Sequence, residues 1–240
     1  VTEGEWLITA DAMPMLKSLL DGGRVSHRKL RLWAVACCRR VWRHIAEERN
    51  RRVLALAERY ADDETAAAEL QAALRAVHAS GDLPAAPGET EKEILAAIAA
   101  AGTRGSAALA TVTAATNDVL AAEAAITATA ILAARKGGPQ VGDAARAAHA
   151  ALLRDIFGPL PIRQLAIDRS CLTPDTLALA QAAYDDRLLP SGHLDAGRLA
   201  LLADGLEEEG CSDAGLLGHL RGPGPHVRGC FALDLLLGKW

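Results

Sequence analysis

Residues 27–45 read HRKLRLWAVACCRRVWRHI, and the spacing within them decides the fold class. Leu30, Trp33, Ala34, Cys37, Val41 and Ile45 recur at steps of three and four, which makes one apolar stripe on a helix and no alternation for a strand. Ser26 stands where an N-cap belongs, its hydroxyl placed to accept from the free amides of the first turn. Arg28, Arg31, Arg39 and Arg43 lie within about 40° of one line on an ideal helix, with Lys29 and Arg40 to the side. The stripe has to be buried against other helices. The arginines need water, internal carboxylates or an acidic partner.

Helical spacing continues outward in both directions. Asp11 can cap a helix to Leu20, ended by Gly22-Gly23, and further helices are expected at about 47–60 and 64–79. SGDLPAAPGE (80–89) interrupts with two prolines and two glycines and reads as a linker. The Ala- and Thr-rich stretch 90–135 is expected to be helical because alanine outweighs threonine in propensity, with another helix from Pro139 to Phe157. GPLPIRQLAIDRSCLTP is the one long irregular stretch, closing on a Thr173 cap with Pro174 at the first helical position. Beyond it come a helix ending at Gly210, a short one capped by Ser212 to Leu220, and HVRGCFALDLLLG ending at Gly238. No repeat of 20–50 residues emerges, so a solenoid is not expected. The expectation is an all-α, multi-helix bundle of at least seven helices with an Ala-rich middle and no sheet. Its segments are 1–80, 81–156 and 157–240, which are also compatible with one continuous domain.

The chain has 240 residues, half of them hydrophobic but only 3% aromatic, enough to bury a core built mainly from small side chains. Such a core gains little area per residue, so Leu, Ile and the four Trp become its anchors. Five cysteines, an odd number in a chain too large to need staples, fit a reducing compartment with buried or ligating thiols. The opening VTEGEWLITADAMPML is acidic and lacks an apolar run, which reads as no signal peptide. The most apolar span, 119–134, is too short for a bilayer and carries Glu123, Thr127 and Thr129. A cytoplasmic location without membrane contact is expected.

A net charge of −4 gives no general affinity for nucleic acid. The distribution is uneven, since the window 24–52 holds ten Arg or Lys against Glu47 and Glu48. Arg28, Arg31, Arg39 and Arg43 are therefore candidate partner-binding residues, for an acidic protein surface or for nucleic acid. A nucleic-acid groove would also want base-reading amides or exposed aromatics. Trp33 belongs to the apolar stripe, and Trp42 is the one placed to stack on an arginine.

EWL near the start, RKLRLWAVACCRRVW, LLRDIFG, YDDR and GPGPHVRGC…DLLLGK together resemble an uncharacterised bacterial family carried as many paralogues with variable Ala-rich middles. LALLADGLEEEGCSD resembles part of a short segment found beside leucine-rich repeats. Neither resemblance brings an activity with it. Both imply a cytoplasmic helical unit and no catalytic residues.

Reactive side chains concentrate in GHLRGPGPHVRGC (218–230). Cys211, His219, His226 and Cys230 form C-x7-H-x6-H-x3-C, a candidate zinc set in which His226 and Cys230 would share a helical face; Cys211 lies two turns from His219 and strains the geometry. Arg221, His226 and Arg228 beside a helix start near His226 form a candidate anion pocket, although no P-loop or dinucleotide fingerprint is present. A Cys230–His226 nucleophile pair has no third orienting group and no oxyanion hole. The plainest expectation is a structural corner. Pro223 and Pro225 fix φ and the glycines before them leave the α region, so the chain must turn. No motif of catalytic geometry survives, so the favoured role is a non-catalytic protein-interaction or regulatory module with no cofactor. Nucleic-acid or acidic-partner binding through the basic helix, and a zinc or anion site at 219–230, are the alternatives.

Overall fold

The structure, a computed structural model, describes residues 1–23, 25–83, 103–115, 119–158 and 168–239. Most of the linker expected at 80–89 and of the irregular stretch after Gly158 lies outside the described residues, as does Arg24. The helices are α1 (Glu3–Ile8), α2 (Ala12–Asp21), α3 (His27–Arg40), α4 (Glu48–Tyr60), α5 (Ala67–His78), α6 (Thr103–Ala114), α7 (Val119–Gly137), α8 (Pro139–Phe157), α9 (Pro174–Asp185), α10 (Ala196–Glu208), α11 (Ala214–Leu220) and α12 (Phe231–Leu237). The fold is all-α, as the spacing requires. Among the described residues the expectation of no sheet holds apart from a two-stranded antiparallel ribbon, β1 (Arg187–Leu188) and β2 (His193–Leu194). Gly192, at φ +76°, lets the short connection LPSG turn back on itself. No described helix is long and apolar enough to cross a membrane.

Local chemistry sets the helix ends. Asp11, Ser26, Thr173 and Asp195 each accept a backbone amide of the turn they cap, and Pro174 occupies the first helical position of α9. The short helix expected to start from Ser212 is capped by Asp213 instead, whose carboxylate accepts from Leu216 N at 2.9 Å. Helix α3 stops at Arg40, and Trp42–His44 continues as a single 3₁₀ turn.

The chain divides into two compact units: residues Thr9–Ala150, and Val1–Ile8 together with Ala151–Trp240. This division cuts across the segments 1–80, 81–156 and 157–240, and it falls inside α8.

In the 9–150 unit, α3 packs against α4, α6 and α7, α5 lies on α4, and α6 pairs with α7. Trp33, Cys37 and Val41 are buried on the α3 stripe. The Trp33 indole N–H donates across 116 residues to the carbonyl of His149 at 3.0 Å. Alanines of α6 and α7 join Val53, Leu54 and Leu132 in one buried apolar cluster.

In the C-terminal unit, α9 packs on α10 and α12, and α11 joins α10 to α12. Helix α1 is pinned here at both ends of one residue. Trp6 Nε1 donates to Gly158 O at 3.0 Å, and Arg154 Nε donates to Trp6 O at 2.7 Å.

Candidate metal centre

Two arginines of the basic helix find carboxylates within the chain. Arg28 pairs with Asp62 at 2.8 Å and Arg39 with Glu58 at 2.5 Å, the latter pair almost fully buried. Arg31 is buried with its guanidinium over the Tyr60 ring at 4.5 Å, and its Nε donates to Ala115 O at 3.5 Å. Arg43 is exposed, and its Nε lies 3.2 Å from His44 Nε2. Trp42 receives Arg39 and Arg51 over its ring, at 5.2 and 5.5 Å. Three of the four candidate partner-binding arginines thus face internal acceptors or rings.

The candidate anion residues do not converge. Arg221 is exposed and clamps Asp204 and Glu207 of α10. Arg228 lies 3.5 Å from Asp185 and over the Tyr184 ring. His226 turns elsewhere.

The helix expected from His226 begins five residues later, at Phe231. Val227 pairs as an isolated bridge with His193, and Leu194 N donates to His226 O at 2.9 Å, so residues 226 and 227 are extended and attached to the ribbon. Gly229, at φ +88°, then turns the chain into α12, with Cys230 at the N-cap. His226 and Cys230 are therefore brought together by a corner and not by one helical face. Gly224 is needed in it, because its φ is +82° and a Cβ there would stand 2.9 Å from His226 N.

That corner closes on a residue that the cysteine–histidine spacing does not contain. Asp155, in the last turn of α8, is buried, and its Oδ1 lies 3.1 Å from His219 Nε2 and 3.0 Å from His226 Nδ1. His219 Nε2 is also 3.2 Å from Cys230 Sγ. One ligand atom from each of Asp155, His219, His226 and Cys230 lies within 4.8 Å of all the others. Cys211 is not in this group. It sits with Cys171 in the apolar core of the unit, where burial, and then the neighbouring Cys211 thiol, push the Cys171 thiol up.

The geometry separates two chemistries. A nucleophile–base–orienter relay needs the imidazole to use one nitrogen for the thiol and the other for the carboxylate. Here His219 presents the same Nε2 to both Sγ and Oδ1. The donor atoms converge on a point instead of forming a chain. Tetrahedral zinc with bonds of about 2.0–2.3 Å would separate its ligand atoms by about 3.3–3.6 Å. The 3.0, 3.1 and 3.2 Å edges need open by only a few tenths of an ångström, and the other three edges of the tetrahedron lie within 4.8 Å.

The surroundings orient the donors in the same sense. His226 Nε2 lies 3.2 Å from Gly222 O, which leaves Nδ1 for the centre, and Asp155 Oδ2 accepts from Val227 N at 2.9 Å, which leaves Oδ1. The His219 and His226 rings meet edge-on with centroids 4.7 Å apart. Burial pushes the Asp155 carboxyl up, but the bonds and charges of the two histidines outweigh it and hold it below its ordinary value. His226 mirrors this, since burial pulls it down while Asp155 more than restores it. Cys230 is held well above an ordinary thiol by burial and then by the Asp155 charge. A divalent cation at this point would replace the protons these groups compete for.

Asp155, His219 and His226 also line a cleft of about 420 Å³, walled by Trp6, Leu7, Phe231 and the glycines of α11.

Comparison of the chain with protein-family models, with curated proteins and with solved structures gives no match.

Asp155 left one trace in the sequence. A carboxylate between Leu153 and Ile156 in the last turn of a helix opposes the helix dipole and interrupts an apolar face, so it needs a positive neighbour.

Proposed function

We propose that the C-terminal unit is a zinc-dependent helical module in which Asp155, His219, His226 and Cys230 hold one Zn²⁺, and that the protein acts through this stabilised unit without catalysing a reaction. The observation that carries the reading is the shared approach of Asp155 Oδ1 and Cys230 Sγ to a single imidazole nitrogen, His219 Nε2. A thiolate, two imidazoles and a carboxylate are a donor set suited to zinc. Four protein ligands fill a tetrahedral shell, which is the arrangement of structural and not catalytic zinc. The ligands come from α8, α11, the corner and the N-cap of α12, so a bound ion would tie elements that are distant in sequence.

The test is metal content and affinity on the full chain. Protein stripped with chelator and reloaded should hold one zinc per chain, and zinc should raise the thermal midpoint. Cys230→Ser should lose the metal, whereas Cys211→Ser should keep it. A reloaded chain without stoichiometric zinc, or a midpoint indifferent to zinc and chelator, would overturn the reading.

A further inference from the structure

We infer that the zinc of this centre is exchangeable: His219 is its leaving ligand, and a small chelating donor reaches the ion through the cleft and takes the place of that imidazole. This rests on the zinc reading above. Asp155, His219 and His226 line the cleft, whereas Cys230 does not. An ion held by the four would meet the cleft on the side away from the thiolate. At about 420 Å³ the cleft falls within the ~300–1,000 Å³ range of small-molecule sites, so an incoming donor has room beside the ligands. Its described lining residues all belong to the C-terminal unit.

The four ligands are not held equally. Asp155 is tied through its second oxygen to Val227 N at 2.9 Å, and His226 lies with its second nitrogen 3.2 Å from Gly222 O. Cys230 is fully buried at the N-cap of α12. His219 is different. Among the described residues none hydrogen-bonds to its Nδ1, and its ring is oriented by contacts with the rings of His226 and Phe231. Its side chain is 22% exposed, against 2% for Asp155 and 4% for His226. Outer hydrogen bonds fix a ligand's orientation, and losing one typically costs about 10–100-fold in metal affinity. The imidazole without such a bond, at the penultimate position of the seven-residue α11, is the one that leaves most easily. In the exchange step the donor's lone pair forms a bond to zinc as the Zn–Nε2 bond breaks. His219 departs as a neutral imidazole, so the step needs no proton and no electron, and Asp155 and Cys230 still balance the charge of the ion. As the chelator closes around the ion the other three bonds follow, and the freed thiolate takes a proton from solvent. The tie between α8, α11 and α12 then follows the zinc supply and is not fixed at folding.

Stopped-flow transfer of zinc from the loaded full chain to the coloured chelator pyridylazoresorcinol, at constant pH, tests this. The rate should rise in proportion to chelator concentration, as attack by the donor requires. Gly218→Trp narrows the cleft from a helical position where a Cβ meets nothing within 4 Å, and it should slow transfer about tenfold or more while zinc stays at one per chain. In equilibrium titrations His226→Gln should weaken zinc at least about tenfold more than His219→Gln, because only the His226 ring is held from outside. The chelator dependence and the histidine comparison stand whether or not the Gly218 variant folds. A rate independent of chelator concentration, a loaded Gly218→Trp chain that gives up zinc as fast as wild type, or equal losses from the two histidine variants would overturn the inference while the zinc reading stands. If the chain holds no zinc, the earlier reading has failed first.

Discussion

Asp155→Asn is the sharpest single perturbation of the C-terminal unit. The wild-type carboxylate is buried at 2% side-chain exposure and takes part in three close contacts: Val227 N at 2.9 Å, His226 Nδ1 at 3.0 Å and His219 Nε2 at 3.1 Å. An amide can keep the Val227 bond through its oxygen, but its nitrogen only donates. The two imidazole contacts then lose their charged acceptor. Hydrogen bonds to charged groups contribute roughly 1.5–3 kcal/mol each, and the amide recovers part of this by donating to one ring, so a net loss of about 3 kcal/mol is expected without metal. For a chain of 240 residues that corresponds to about 6–12 °C in the thermal midpoint. Zinc should add little to the variant, since an amide is a poor ligand beside a thiolate and two imidazoles. Differential scanning calorimetry of wild type and variant, each with chelator and with zinc, reads both effects. A variant whose midpoint stays within about 2 °C and still rises with zinc as wild type does would refute the assignment of Asp155 to the centre.

Two further outcomes concern the 9–150 unit. The buried Arg39–Glu58 pair has both side chains at or below 5% exposure, so Glu58→Gln should cost about 3 kcal/mol in urea unfolding, and a loss under about 0.5 kcal/mol would show that the pair is not desolvated. His149 is held down to about 3 from 6.5 by burial and then by the charges of Arg40 and Arg146, so the folded chain keeps it neutral while the unfolded chain protonates it. Its contribution is therefore fully present above pH 6.5 and lost as pH falls toward about 3, roughly 2 kcal/mol between pH 6.5 and 5. Replacing His149 by Gln should flatten that slope, and an unchanged slope would place the acid sensitivity elsewhere.

The parts of the molecule legible in the sequence are those fixed by neighbours along the chain. The α3 stripe, the caps at Asp11, Ser26 and Thr173 and the break at Pro223 and Pro225 all depend on residues within one or two turns. The charge excess at 24–52 was legible as an excess, but its destination was not. Arg28 meets Asp62 and Arg39 meets Glu58 only after α4 has folded back along α3. The candidate centre divides in the same way. His219, His226 and Cys230 announce themselves by crowding into one stretch, and the three do come together. The spacing offers Cys211 as the fourth ligand, whereas tertiary packing places Cys211 beside Cys171 and brings in Asp155, 64 residues before His219. Local preference favours a helix from His226, but pairing of Val227 with β2 overrides it and the helix starts at Phe231.

The two oxygens of Asp155 face different parts of the protein, Oδ1 the imidazoles and Oδ2 the amide of Val227. Val227 in turn bridges His193, and Leu194 donates to His226 O at 2.9 Å. Any change in the electron density of that carboxylate, by protonation or by coordination, must therefore reach the Val227 N–H through a single hydrogen bond. In magnetic resonance terms the protein carries its own indicator. The Val227 amide resonance, shifted downfield by an anionic acceptor, would move back as charge is drawn toward a cation on the other oxygen, and the Leu194 amide would follow at one remove.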